Sequence, residues 1–254
     1  MRTLVLQNNF TLKDAGTDSK HLSFIETCMS SVRNWANKNA FEYSLTTDLS
    51  SINLPNPFRS DAKHIAYSHF LKYINIDNDN YERVVVIDTD VLIQGNPVLY
   101  DSNSFCVAKY CDEYRPEYVW RFNSGVFYLP TYKAKDLKKW MIDQSYADKR
   151  YFDVELDLRQ YSSLEGDECL LWHWIKSQNV DVNIIHNYAH FGFEPLQPDC
   201  FIHFPGKNKT YQFEFFNLIQ KLGLKDRRMY RSLENMLLWS PVNANRNKIT
   251  HITH

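Results

Sequence analysis

The segment YERVVVIDTDVLIQGNP (residues 81–97) contains the most apolar run of the chain and sets two carboxylates, Asp88 and Asp90, at its end. Its RVVVI core is β-branched, continuous and bounded by turn-forming residues, the pattern of a strand buried on both faces of a mainly parallel sheet. The two acids then fall at the carboxyl end of a central strand, where open α/β sheets form their ligand crevices. Ionised carboxylates one residue apart repel, and burying them without compensation costs several kcal/mol. A divalent cation is the commonest compensation, although a strand-end Asp-x-Asp also serves simply to cap a turn or a following helix.

Outward from this strand, elements alternate. TLVLQ (3–7) reads as a first strand, followed by a polar loop. Apolar residues at Leu22, Ile25, Cys28, Met29, Val32, Trp35 and Ala36 predict the inward face of a helix over 20–39. FEYSLTT (41–47) alternates as a strand, and a helix over 61–74 turns Ile65, Ala66, Phe70, Leu71 and Ile74 inward. Further strands are expected over 104–110, 124–129, 181–186 and 200–204, and helices over 132–147, 167–177, 213–222 and 228–239. The order predicts one α/β domain spanning 1–254, an open and mainly parallel sheet flanked by helices, with 211–254 as a C-terminal helical extension. No internal repeat, low-complexity tract or linker interrupts it; VNANRNKITHITH reads as a frayed tail.

A formal charge of −1 over 254 residues leaves no excess of basic groups for nucleic acid or an anionic membrane surface. No apolar run approaches the roughly 18 residues of a spanning helix, and MRTLVLQNN lacks the apolar region of a signal peptide, so a soluble, cytoplasmic protein is expected. Cys28, Cys106, Cys111, Cys169 and Cys200 are odd in number and scattered, and read as buried thiols. Of the 16 Tyr, 16 Phe and 6 Trp most must be core; at least one of Trp172 and Trp174 reads as packing.

A second cluster lies in FIHFPGKNKT (201–210), where His203, Gly206 and Lys209 follow one another at intervals of three. Imidazole ligates borderline cations, glycine lets backbone approach a bulky anion, and lysine neutralises a phosphate. Together they suit a metal-bound diphosphate.

Strand-Asp-x-Asp, then FNSGVFYL, then GDECLL, then His-x-x-Gly-x-x-Lys, in this order, resembles the GT-A glycosyltransferases, specifically the glycogenin-like family 8 retaining enzymes, over most of residues 1–210. The resemblance implies a metal-dependent hexosyltransferase using a nucleotide-sugar donor, UDP by default, and a glycan or glycoconjugate acceptor. It implies that Asp88, Asp90 and His203 ligate Mn²⁺ or Mg²⁺, and that Gly206 and Lys209 contact the diphosphate, with Thr89 between the two acids on the same side. Asn123, Ser124 and Gly125 match the segment lining the sugar site; Asp167 matches the first acid of an Asp-Gln-Asp motif facing the anomeric carbon, so that Asp167 and Asn123 are the implied catalytic groups. Here Asp167, Glu168 and Cys169 replace Asp-Gln-Asp, which puts Glu168 by the sugar and removes the second acid, and Thr210 and Tyr211 stand where Pro-Trp is common. Lys63 and Asn8, with Asn9, are further candidates on the nucleotide side; a solvated helix lysine is the simpler explanation of Lys63, and a plain polar turn explains Asn8 and Asn9 equally well.

Other readings of the same residues exist. A haloacid-dehalogenase-type phosphatase also uses strand-Asp-x-Asp, but that motif normally opens its domain, whereas here a strand–helix–strand pattern precedes it. A nucleotidyltransferase should carry a Gly-rich basic loop after its first strand, and QNNFTLKDAGTDS has one glycine. A binding protein of the same fold without turnover would be separated from an enzyme by donor turnover.

Overall fold

Residues 83–87 form the strand their apolarity predicts, and both of its faces are covered. The computed structural model describes residues 1–9, 19–47, 71–100, 103–109, 122–147, 167–191, 196–204 and 209–222. The strands are β1 (Thr3–Asn8), β2 (Glu42–Thr46), β3 (Arg83–Ile87), β4 (Val91–Gln94), β5 (Phe105–Lys109), β6 (Phe122–Pro130), β7 (Val182–Ile184), β8 (Tyr188–His190) and β9 (Cys200–His203). The helices are α1 (Ser19–Lys38), α2 (Thr131–Ala147), α3 (Asp167–Ser177) and α4 (Lys209–Leu222).

Six strands form the main sheet in the order β2-β1-β3-β6-β5-β7. Neighbours run parallel except around β6, which is antiparallel to both β3 and β5. Successive β3 side chains point to opposite faces. Val84 and Val86 join Leu4, Leu6, Phe127 and Leu129 against Leu137 and Met141 of α2 and Trp174 of α3. Val85 and Ile87 join Val5, Val126 and Tyr128 against Val32, Trp35 and Ala36 of α1 and Phe201 of β9. Each such fully buried Val, Ile or Leu is worth about 1.5–3 kcal/mol relative to exposure, which is why the run carries no polar alternation.

A second sheet, β4-β9-β8, lies over the α1 side, with β9 antiparallel to β4 and parallel to β8. Its strands were not foreseen at β4 and β8: each is three or four residues long, too short for a period to show. Ser31 of α1 accepts the Ile93 N–H at 2.9 Å, tying β4 to the helix. After β4 the chain turns at Gly95 with φ +65°, where a Cβ would overlap the Asp199 carboxylate and the Pro198 carbonyl. α4 packs on the outer face of this sheet through Phe215, Phe216 and Ile219, which meet Phe24, Cys28, Phe191 and Phe204.

One inward assignment on α1 needs correction. Leu22 is 46% exposed, and Phe24 is buried instead, because the stripe that meets the second sheet runs through Phe24, Cys28, Val32, Trp35 and Ala36. Trp174 is core, edge-on to Phe105 at 5.3 Å between ring centroids. Cys28, Cys106 and Cys200 are buried cysteines outside any disulfide, as expected. α4 begins at Lys209, earlier than expected; of the helix expected over 61–74, residues 61–70 lie outside the described residues and Leu71 and Ile74 are buried as expected, while the helix expected over 228–239 lies wholly outside them. No described helix is long and apolar enough to cross a membrane.

Candidate metal centre

Where β3 ends, the chain makes a tight turn into β4, and Asp88, Thr89 and Asp90 form it. The turn is set by backbone. The Asp88 N–H donates to Gly125 O on β6 at 2.8 Å, and the Val91 N–H donates to Asp88 O at 3.3 Å. Buried Gln7 of β1 donates its amide to Asp88 O at 3.2 Å and accepts from the Tyr43 hydroxyl at 2.9 Å. Because β4 pairs with β9 so that Val91 lies opposite His203, the second sheet brings the imidazole back to the two acids.

One ligand atom from each of Asp88, Asp90 and His203 lies within 4.8 Å of the other two. Two carboxylate oxygens and one imidazole nitrogen suit a borderline or hard divalent ion such as Mn²⁺ or Mg²⁺. Asp90 is 5% exposed, its Oδ1 is 3.4 Å from His203 Nε2, and its Oδ2 pairs with the Lys209 ammonium. Burial opposes its charge, but Lys209 and His203 hold the Asp90 carboxyl well below the usual carboxylate range. The acid is therefore a ready anionic ligand. Cys28 is different: burial, and then the Asp90 charge, push its thiol far up, so it stays a protonated core residue.

The segment Asn123–Ser124–Gly125 opens β6 directly beside the acids. Its pairing with β5 is irregular, with Val107 opposite Phe127 and Ala108 opposite Asn123, so that Ser124 to Val126 lie between those partners. A Cβ on Gly125 would sit 2.7 Å from Asn123 Oδ1 and 3.1 Å from the His203 ring, which explains why only glycine fits without displacing them. Asn123 Nδ2 donates to Glu168 Oε1 at 2.9 Å, and the Ser124 N–H donates to the same oxygen at 3.1 Å. Asn123 Oδ1 accepts from the Gly125 N–H at 2.9 Å and from the Tyr188 hydroxyl at 2.6 Å. Tyr188 in turn meets His203 Nδ1 at 2.6 Å and His190 Nε2 at 3.2 Å.

Of the residues singled out in the sequence, Asp88, Asp90, His203 and Lys209 converge directly, and Asn123, Ser124, Gly125 and Glu168 form the adjoining buried cluster. Asn8 ends β1 at the same edge of the sheet, and both polar atoms of its amide are buried without a hydrogen-bond partner among the described residues. Such an orphaned amide is uncommon and fits a group that meets a ligand. Thr89 is half-buried between the acids. Asp167 is the first residue of α3; its side chain, Lys63 and Gly206 lie outside the described part of the structure.

Three contributors escaped the sequence reading. Lys72, 3% exposed, donates to Ser124 Oγ at 2.7 Å and pairs with Asp88 Oδ1 at 3.4 Å. Its signal was a lysine inside the otherwise apolar stretch FLKYINI (70–76). Gln7, inside the first strand, had the same kind of signal, a polar residue in a buried run. Tyr188 had none, being one of 16 tyrosines.

No protein-family model and no curated protein matches the chain. Solved structures do. The crystal structure of a glycosyltransferase involved in the glycosylation of the major capsid of PBCV-1 superposes on 86% of this chain and 100% of its own, with TM-score 0.57 and 10% identity. The glycosyltransferase GlyE of Streptococcus pneumoniae TIGR4 matches 91% of this chain with TM-score 0.51 and 16% identity, and this chain spans 62% of that protein. At such identities the likeness is one of fold. The mostly parallel α/β sheet with an Asp-Asp-His group at the end of its central strand is thus built on the fold of GT-A glycosyltransferases.

Proposed function

We propose that this protein is a metal-dependent glycosyltransferase that moves a sugar from a nucleotide-sugar, with UDP as the leading candidate, to a glycan or glycoconjugate acceptor. The observation that carries the reading is the convergence of Asp88, Asp90 and His203 beyond the carboxyl end of β3, in a fold shared with glycosyltransferases. These three residues would hold Mn²⁺ or Mg²⁺. When bound, such an ion supplies charge stabilisation to a departing diphosphate.

The remaining roles belong to the chain. Lys209 places an ammonium at the same spot, and a unit charge about 4 Å from a developing negative charge is worth roughly 4 kcal/mol at an effective dielectric near 20. Gly206 would let backbone approach the diphosphate, with Thr89 on the same turn as the acids. Asn8, whose buried amide atoms have no partner among the described residues, would meet the nucleoside, and Lys63 is a further candidate there. Ser124, Gly125 and Glu168 shape the sugar side. Asn123 has both lone pairs of Oδ1 engaged by Gly125 and Tyr188, which leaves Asp167 as the group proposed to face the cationic sugar. Transfer with retention is the expected course, the diphosphate assisting removal of the acceptor proton; an inverted anomer in the product by NMR would sink that part.

Thermal unfolding of the wild type and of Asp90→Ala with UDP, GDP and CMP, each with and without Mn²⁺, tests the reading. A ligand at 100 times its Kd adds about 2.7 kcal/mol, a rise on the order of 5–10 °C for a chain of this size. The expected result is a shift that needs one nucleotide, the metal and Asp90 together, followed by turnover of the matching donor sugar. If none of the nucleotides moves the midpoint, the assignment fails.

A further inference from the structure

We propose that Tyr188 is a positioning residue that sets the tautomer of His203, presenting the Nε2 lone pair to the metal site, and that Glu168 and Asn123 set the direction of the Tyr188 proton. The inference deepens the metal-dependent reading above and rests on it for its use, though not for its geometry.

The direction of every hydrogen bond follows from donors that have no choice. The Gly125 and Ser124 backbone N–H groups can only donate. Gly125 donates to the Asn123 side-chain atom at 2.9 Å, so that atom is the oxygen, and the Asn123 amino group is left facing the Glu168 carboxylate, where it donates at 2.9 Å. The Ser124 N–H reaches the same Glu168 oxygen at 3.1 Å, fixing it as an acceptor. Asn123 Oδ1 can only accept, and the Tyr188 oxygen lies 2.6 Å from it, so the single Tyr188 proton must lie between them. Tyr188 has no second proton to give. At 2.6 Å, His203 Nδ1 must therefore donate to the Tyr188 oxygen, and His190 Nε2 at 3.2 Å is its other donor.

A neutral imidazole carrying its proton on Nδ1 has its lone pair on Nε2. Nε2 is the nitrogen that lies 3.4 Å from Asp90 Oδ1, on the side where the three ligand atoms converge. With Nδ1 committed to Tyr188, Nε2 is the ring nitrogen left on the side of Asp90, where one cation would meet both. The register of the second sheet makes this possible, because His190 pairs with His203 and Tyr188 with Phe201, which puts Tyr188, His190 and His203 on one face. Tyr188, Asn123 and Glu168 are 6%, 3% and 7% exposed, so water does not compete for these bonds.

The test reads the tautomer directly, with no metal and no substrate. Long-range ¹H–¹⁵N correlation spectra of the ¹⁵N-labelled protein at about pH 8, above the ordinary histidine range, would identify the His203 ring by comparison with His203→Gln. The expected pattern is a protonated Nδ1 and a bare Nε2 in the wild type, shifting toward protonated Nε2 in Tyr188→Phe. Titration with Mn²⁺ alone should show a Kd weakened roughly tenfold or more in Tyr188→Phe, while Glu168→Gln, which keeps an acceptor oxygen for Ser124 and Asn123, should stay near wild type in both readouts. A wild-type His203 protonated on Nε2 would overturn the proposal even if the variants fail to fold, and so would an unchanged tautomer in folded Tyr188→Phe. If His203 has the expected tautomer but the wild type binds no Mn²⁺, the relay stands and the metal-dependent reading falls.

Discussion

Asp88 and Asp90 are held by backbone, whereas His203, across the same centre, is oriented by side chains. On the carboxylate side, the β3–β4 turn is closed by the Asp88 N–H to Gly125 O bond at 2.8 Å and the Val91 N–H to Asp88 O bond at 3.3 Å, steadied by Gln7. On the imidazole side, β9 brings the ring to the right place, but its rotation depends on Tyr188, then Asn123, then Glu168, from three different elements. A turn closed mainly by backbone bonds is robust, because those bonds do not depend on which side chains are present. A relay through several segments is specific but fragile, since removing any partner leaves a buried polar group unsatisfied, at about 1–3 kcal/mol.

Substitutions on the two sides should differ in what they damage. The largest effect is expected from Asp90→Ala, which removes a buried carboxylate of the proposed metal centre while leaving the turn's backbone bonds in place: donor turnover should fall about 10³-fold, roughly 4 kcal/mol at 1.36 kcal/mol per tenfold. Far-UV spectra should be unchanged. If Asp90→Ala instead loses folding and not turnover, the contrast drawn above is wrong. Gly125→Ala strikes where the two sides touch, because its Cβ would press on Asn123 Oδ1 and the His203 ring together. Urea unfolding should show a loss of about 1–3 kcal/mol, and Mn²⁺ binding should weaken with it; a stable variant with intact metal affinity would show that the relay tolerates more motion than its distances suggest.

Lys72→Met probes the carboxylate side from below. The Lys72 ammonium is buried against Ser124 and pairs with an Asp88 that is 26% exposed, so the expected cost is smaller, about 1–2 kcal/mol, and should persist at high salt because the lysine itself is shielded from counterions. A loss that vanishes in salt would mark the pair as an ordinary surface contact. Leu22→Lys sets the floor: Leu22 lies on the exposed side of α1, and the change should stay within about 0.5 kcal/mol by the same unfolding measurement.

The sequence alone determined the strand that organises the fold and both acids at its end, because a run that must be apolar on both faces has no other composition to adopt. It also made His203 and Lys209 visible, through spacing and chemistry that are local. Tertiary structure decided the rest: that β6 runs against its neighbours, that the short β4 and β8 build a second sheet, that Phe24 and not Leu22 turns inward, and that Lys72, Gln7 and Tyr188 belong to the site. The physical reason is range. Burial and strand period act within a few residues and are written in the order of the chain, whereas the tautomer of one imidazole depends on hydrogen bonds that only exist once β6, α3, β8 and β9 have met.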